Sequence, residues 1–69
     1  MLANLAAEMT RNKITRYDIA KLLGNTYNTV SLKINGHYEF TVAEAQKIQK
    51  TYFPDLTMEY LFERQTEVV

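Results

Sequence analysis

The feature that most constrains this chain is a pair of short helical patterns, separated by one glycine, between Thr15 and Gly36. Thr15 can accept a backbone N–H of the first helical turn, and Asp18 suits the positive end of the helix dipole. Gly24 ends the first pattern, because glycine enters the left-handed region at little steric cost. An apolar stripe at helical spacing lies between these signals. It consists of Ile19, Ala20, Leu22 and Leu23.

The second pattern predicts a helix over about residues 27–35. Thr26 can cap its start, and an Asn35-Gly36 pair can end it. Val30 and Ile34 are four residues apart, so they share one face and are expected to point inward. At 1.5 Å per residue this helix would be about 14 Å long. The DNA major groove, roughly 12 Å wide, admits an element of that size.

A helical wheel divides the second helix into a buried and an exposed side. The residues roughly opposite the buried pair are Asn28, Ser31, Leu32 and Asn35. Tyr27 lies near the buried edge, but its position in the first turn would still let it project into a groove. Thr29 and Lys33 lie on the flank. The exposed side is therefore small and mostly polar, which is typical of a surface that reads a polar partner.

Ordered motifs over residues 1–62 resemble the phage repressor and Cro type (XRE-like) of helix-turn-helix protein. They are DIAKLLG at 18–24, NTYNTVS at 25–31, KING at 33–36, FTVAEA at 40–45 and EYLF at 59–62. KING, followed by an aromatic residue and a T-x-x-E helix start, looks especially similar to prophage regulators of Gram-positive bacteria. The resemblance implies an all-α, compact five-helix lambda-repressor-like domain in which helices 2 and 3 form the helix-turn-helix.

The resemblance also implies a sequence-specific regulator of transcription that binds double-stranded DNA. Asn28 is the best base reader, because its amide can pair bidentately with adenine N6 and N7. Ser31 can bond to either kind of base, and Leu32 and Tyr27 can meet a thymine methyl. The residues expected on phosphates are Arg16, Thr26, Thr29, Lys33 and Asn35. Tyr27 and Leu32 are departures, since members of the family often carry Arg, Lys or Gln there.

Four of these residues also have a plainer interpretation. Leu32 can be buried against a neighbouring helix or subunit. Tyr27 can pack across the first turn of its own helix. Asn28 and Asn35 can serve as local caps, which is the stronger alternative for Asn35 because a glycine follows it.

Composition favours one small all-helical domain. The chain has 69 residues, two glycines, one proline and no cysteine, which excludes disulfides and thiolate metal sites. No apolar run approaches the roughly 18 residues of a membrane span, and no signal pattern is present at the N-terminus. We expect a cytoplasmic protein of a bacterial or phage-infected cell, with a DNA-binding domain over 1–64 and a frayed tail over 65–69.

The net charge of zero is the main objection to DNA binding, and the distribution of charge along the chain weakens that objection. The net charge is zero, whereas DNA-binding domains are usually basic. Residues 1–36 hold five basic and two acidic side chains, or +3, and residues 37–69 hold three and six, or −3. The positive half contains the predicted reading helix. The alternative is a protein-interaction module, antirepressor or antitoxin-like, on the same fold.

The remaining segments predict three further helices around the first two. The first helix is expected over residues 1–12. A capping box of Thr41 and Glu44 begins the fourth. Its inner face is expected to consist of Val42, Ala45 and Ile48. A loop follows over 51–56, and Thr57 caps a short last helix.

Apolar residues near the C-terminus predict a weak homodimer. They are Met58, Tyr60, Val68 and Val69. Two copies would place their reading helices about 34 Å apart on a pseudo-palindromic operator. Scattered surface hydrophobic residues are the plainer interpretation of the same set.

An enzyme is not expected from this sequence. The chain has one histidine, no cysteine and no glycine-rich phosphate loop, and its carboxylates scatter over helix surfaces. The same inventory predicts no metal, no cofactor and no small-molecule substrate.

Overall fold

Five helices make up the regular structure of residues 1–63, which is the part of the chain that the computed structural model describes. They are α1 (Ala3–Arg11), α2 (Arg16–Leu23), α3 (Tyr27–Ile34), α4 (Val42–Tyr52) and α5 (Met58–Leu61). No strand occurs in those 63 residues, so the all-α prediction is confirmed. The predicted domain boundary at 64 and the tail over 65–69 lie outside the described residues.

Threonines begin four of the five helices. The threonine hydroxyl accepts the backbone N–H three residues ahead at distances of 3.1–3.2 Å. These caps are Thr15, Thr26, Thr41 and Thr57. At α2 and α4 the carboxylates of Asp18 and Glu44 bond back to the cap backbone, which completes a capping box at each.

Left-handed residues end α2 and α3 as the glycines predict. Gly24 has φ of +71° and Gly36 has φ of +92°. After α3 the N–H of His37 bonds the carbonyl of Leu32 at 2.9 Å, while Gly36 bonds Lys33 at 3.2 Å. This pair of bonds is a Schellman motif, which satisfies the last carbonyls of the helix.

α1 ends in the same geometry without a glycine. Lys13 has φ of +57°, and the N–H of Ile14 bonds the carbonyl of Met9 at 2.8 Å. A non-glycine residue in the left-handed region costs about 1 kcal/mol or more. The surrounding hydrogen bonds and the packing of Ile14 on the core hold Lys13 there.

The core lies where all five helices meet. Its fully buried side chains are Leu5, Ile19, Val30, Ile34, Ile48 and Leu61. α3 lies between α1 and α2, and α4 packs on α2 and α5. The N–H of Leu2 also bonds the carbonyl of Ile34 at 2.9 Å, which ties the start of the chain to the end of α3. The inward orientation predicted for Val30 and Ile34 is confirmed.

Val42 is placed differently from the prediction. It was expected on the inner face of α4, but 71% of its surface is exposed. At about 100° per residue, Val42 lies about 120° around the helix from buried Ile48, so the inner stripe starts at Ala45 instead. The boundaries of α1 and of the 51–56 loop differ from the predictions by one or two residues.

Two of the four apolar residues predicted for a self-interface are described. Met58 is half-buried, and Tyr60 is exposed but donates its hydroxyl to Glu8 at 2.8 Å. That bond raises the pKa of the Tyr60 hydroxyl. Val68 and Val69 lie outside the described residues. No helix within residues 1–63 has the length and apolar character needed to cross a bilayer.

Candidate nucleic-acid interface

α2 and α3 form one unit joined by a three-residue turn over 24–26. Val30 and Ile34 anchor α3 beneath, since both are fully buried. α3 has eight residues and is therefore about 12 Å long. Because these two residues anchor one side of α3 in the core, the other side of the helix faces solvent.

The exposed face of α3 carries most of the predicted base-reading residues. Asn28 is exposed, and Tyr27 and Leu32 expose 39% and 38% of their surfaces. Ser31 is half-buried. Most of the Leu32 surface is thus covered by the domain itself, and burial of the remainder against a partner subunit stays the plainer interpretation. Asn28 and Leu32 thus lie on the exposed side of α3, Tyr27 lies at its edge, and Ser31 is the least accessible of the four.

Tyr27 packs against Tyr17 of α2. The two ring centroids are 4.5 Å apart and the ring planes are tilted by 37°. Both rings stand at the N-terminal ends of their helices, because Tyr17 is the second residue of α2 and Tyr27 the first of α3. The expected alternative, packing of Tyr27 across its own first turn, is replaced by contact with the neighbouring helix.

Arg16 lies beside this aromatic pair. Together with Tyr17 and Tyr27 it lines a cavity of about 350 Å³ between α1, α2 and α3. Its Nε atom is buried and finds no hydrogen-bond acceptor among residues 1–63. Buried donors are nearly always paired in native proteins, so the unpaired Nε sets Arg16 apart, and an outside acceptor could reach this N–H only after the side chain turned outward.

Thr26 and Thr29 share a hydrogen bond at the start of α3. Their hydroxyl oxygens are 3.0 Å apart, and the Thr26 hydroxyl also accepts the N–H of Thr29 at 3.2 Å. If Thr29 donates to Thr26, the proton of the Thr26 hydroxyl remains to be donated outward. A phosphate at this helix start would accept it and would also benefit from the helix dipole. Asn35, the other predicted phosphate ligand, is exposed at the opposite end of α3.

Lys33 does not have the free charge expected of a phosphate ligand. Its Nζ donates to Glu44 Oε1 of α4 at 2.7 Å and lies 5.6 Å from the centre of the Phe40 ring. Only 14% of the side chain is exposed. Glu44 already balances this charge within the domain, so Lys33 holds α3 on α4, and its contact with phosphate stays a prediction.

Glu44 is the centre of the polar contacts behind α3. Burial raises the pKa of its carboxyl group, but hydrogen bonds from Lys33, the Thr41 N–H and Asn25, with the charge of Lys33, outweigh burial and lower the pKa to about 2. Asn25 belongs to the turn between α2 and α3 and donates at 3.1 Å. One carboxylate thus joins the turn, α3 and the start of α4.

The sequence signals only part of this arrangement. The T-x-x-E pattern identifies Glu44 as a capping residue. Its partner Lys33 is eleven residues away on another helix, and Asn25 is nineteen away. These separations have no local signature.

The cations near the predicted interface differ in their availability. Lys13 and Lys21 are exposed, while Arg11 pairs with the buried carboxylate of Glu8 at 3.1 Å.

Within residues 1–63 no three acidic or histidine side chains come together in a way that could hold a metal ion. The side chains around α3 are suited to hydrogen bonding and to apolar contact with a partner surface.

Comparison of the chain with protein-family models, with curated proteins and with solved structures finds no match to any of them.

Proposed function

We propose that this chain is a sequence-specific double-stranded DNA-binding regulator of transcription, repressor- or Cro-like, in a bacterial or phage-infected cytoplasm. In this proposal α2, the turn and α3 act as a helix-turn-helix, and α3 lies in the major groove. The observation that carries it is the division of α3: Val30 and Ile34 are fully buried, while Asn28 and its neighbours form an exposed polar and apolar face. A face of this kind suits base edges, which offer hydrogen-bonding groups and thymine methyls.

The proposed roles follow from accessibility. Asn28 reads adenine through its amide, and Tyr27 and Leu32 meet thymine methyls. Arg16 donates to a phosphate through its guanidinium group once the side chain turns outward from the cavity that it lines. Thr26 and Thr29 contribute at the start of α3. These phosphate contacts would set the register of α3 on the duplex without reading sequence.

Two copies acting together would provide the affinity that one copy lacks. A single domain of this size reaches only a few base pairs, and its net charge is zero. A homodimer on a pseudo-palindromic operator would place two α3 helices about 34 Å apart, one turn of DNA. Sedimentation with operator DNA would reveal this, since a one-to-one complex at saturation would contradict it.

Removal of the Asn28 amide is expected to relax specificity at one base position. A selection from random duplex DNA would first define the preferred site. Asn28→Ala should then bind that site about 5- to 150-fold more weakly, which corresponds to roughly 1–3 kcal/mol. Gln46→Ala, which removes an exposed amide from α4, is the matched control and should bind like the parent. An unchanged base preference in Asn28→Ala would show that another face reads the DNA.

Removal of the Arg16 charge is expected to weaken binding to all sequences alike. The parent should lose affinity steeply between low and physiological salt, with a log–log slope of about −0.9 per phosphate contact. Arg16→Ala should reduce the magnitude of that slope by about 1. Lys47→Ala removes the same charge from the exposed side of α4 and should leave the slope nearly unchanged. Absence of binding by the parent at low salt would end the DNA proposal.

An apolar groove favours protein binding as a second candidate function. This groove, of about 190 Å³, lies at the start of α4, and its lining includes Phe40, Val42, Met58 and Phe62. Tyr38 beside it is mostly exposed. An antirepressor or antitoxin-like protein would use such a surface and would not need a basic domain. The salt titration separates the two candidates, because only the first requires the parent to bind duplex DNA.

A further inference from the structure

We infer that Tyr17 is a positioning residue for DNA reading, which holds the ring of Tyr27 in the orientation that selects thymine. The inference rests on the proposed function and extends it to a residue outside the reading helix. The observation behind it is the stacking of the two rings, with centroids 4.5 Å apart, across the α2–α3 junction.

The aromatic ring of Tyr17 has no role in the core, so we look for its role in the contact with Tyr27 or with a partner. Its surface is 69% exposed, and it does not belong to the buried core or to the hydrophobic side chains packed against that core. An exposed residue of this kind contributes little to folding by burial. Its aromatic contact is with Tyr27, the first residue of α3.

The stacking matters because it adds a fixed aromatic neighbour to a side chain that leaves 39% of its surface exposed at the start of α3. Aromatic pairs prefer tilted or offset arrangements with centroids about 4.5–7 Å apart, and the observed pair lies at the close end of that range. Tyr17 therefore removes rotamers that Tyr27 would otherwise sample. A contact residue that is ordered before binding loses less entropy when the complex forms.

The base that Tyr27 would select follows from its chemistry. The carbon face and edge of a tyrosine ring offer apolar contact, and in the major groove the apolar feature that distinguishes a base is the C5 methyl of thymine. A ring held at a fixed angle can meet that methyl at one base pair, whereas a freely rotating ring spreads its contact over several orientations. Tyr17 would thus affect specificity without touching the base.

The test replaces thymine by deoxyuridine, one position at a time, in the selected duplex site. This change removes only the C5 methyl group. For the parent, each thymine methyl that Tyr27 or Leu32 meets should show about a 4-fold loss of affinity when it is removed, the value for burial of one methyl-sized group. The position read by Tyr27 is the one whose loss disappears in Tyr27→Ala. Tyr27→Ala and Tyr17→Ala should each bring the thymine-to-uracil ratio at that position close to 1, and the double variant should show no further change.

Two further variants distinguish positioning from other roles. Tyr17→Phe keeps the ring and should keep both the thymine-to-uracil ratio and the affinity of the parent, whereas loss of a hydroxyl contact to phosphate would lower its affinity for the thymine and uracil sites alike. Tyr38→Ala, which truncates another exposed tyrosine, is the matched control and should keep the ratio. Circular dichroism should report the same helicity for all variants, and the melting temperature should fall by only about 2–10 °C where the ring pair is lost. The chain has no tryptophan and five tyrosines, so ring-proton shifts of Tyr27 can be followed by NMR in the free protein.

The outcomes separate this inference from the proposed function. Loss of the methyl effect in Tyr27→Ala but not in Tyr17→Ala would overturn the positioning role while leaving DNA binding intact. Equal losses of affinity in Tyr17→Phe and Tyr17→Ala, with the thymine-to-uracil ratio of the parent in both, would also overturn it in favour of a direct hydroxyl contact. A parent that binds no duplex at low salt would remove both proposals. Unmoved Tyr27 ring shifts in free Tyr17→Ala would contradict the stacking itself, whatever the DNA result.

Discussion

Val30→Asp should abolish the folded state of this domain. Val30 is fully buried on the inner side of α3, so the aspartate would place a charge in the core without a partner. Such a burial costs several kcal/mol even after relaxation. A domain of 69 residues has only about 3–10 kcal/mol of total stability. The measurement is far-ultraviolet circular dichroism at 20 °C with a thermal melt, and we expect loss of helicity and of the cooperative transition.

Val42→Asp is the matched control for this experiment. It makes the same chemical change at a valine that is largely exposed, in the first position of α4. An acidic side chain there faces the positive end of the helix dipole, so this variant should fold and melt at or slightly above the temperature of the parent. A Val30→Asp variant that melts like Val42→Asp would contradict the burial of α3 on the core.

Acidification should destabilise the domain through Glu44. The pKa of its carboxyl group is about 2 in the folded protein and 4.5 in the reference state, so folding favours the charged form. The resulting stability is fully present above pH 4.5 and is lost as the pH falls toward 2. Its magnitude is on the order of 3 kcal/mol. Urea unfolding at a series of pH values between 7 and 2 would measure the loss.

Glu44→Gln isolates this contribution from the other carboxylates. The variant should be less stable at pH 7 by an amount of the same order, because Lys33 would keep its charge without an anionic partner. Its stability should also fall less steeply than that of the parent between pH 5 and 2. Glu59→Gln, at an exposed position in α5, provides the comparison. Parallel pH profiles for the parent and Glu44→Gln would contradict a stabilising role for the pair.

Local signals explain why α2 and α3 could be predicted closely. A threonine cap and a glycine at the far end define each helix through hydrogen bonds that span only a few residues. The inward pair Val30 and Ile34 follows from helical spacing alone. These features depend on the chain near them, so they are visible without any knowledge of tertiary contacts.

Two of the departures from prediction involve partners that are distant in the sequence. A free Lys33 is a reasonable expectation from a flank position, but Glu44 of α4 captures its charge. The stacking of Tyr17 on Tyr27 depends on how α2 and α3 cross, which no spacing rule supplies. Val42 differs for another reason. Residues three apart are displaced by about 60° around a helix, so in the series Val42, Ala45 and Ile48 the first residue lies outside the buried stripe.

The hydrogen bond between Leu2 and the carbonyl of Ile34 has a practical consequence. Leu2 is buried although it precedes the first helix, so the backbone enters the domain next to the C-terminal end of α3. Any fusion partner or affinity tag joined ahead of Met1 would emerge at that point and would crowd it. Labels intended to leave the interface undisturbed are better attached to the solvent side of α4, where Lys47 and Lys50 offer accessible amines.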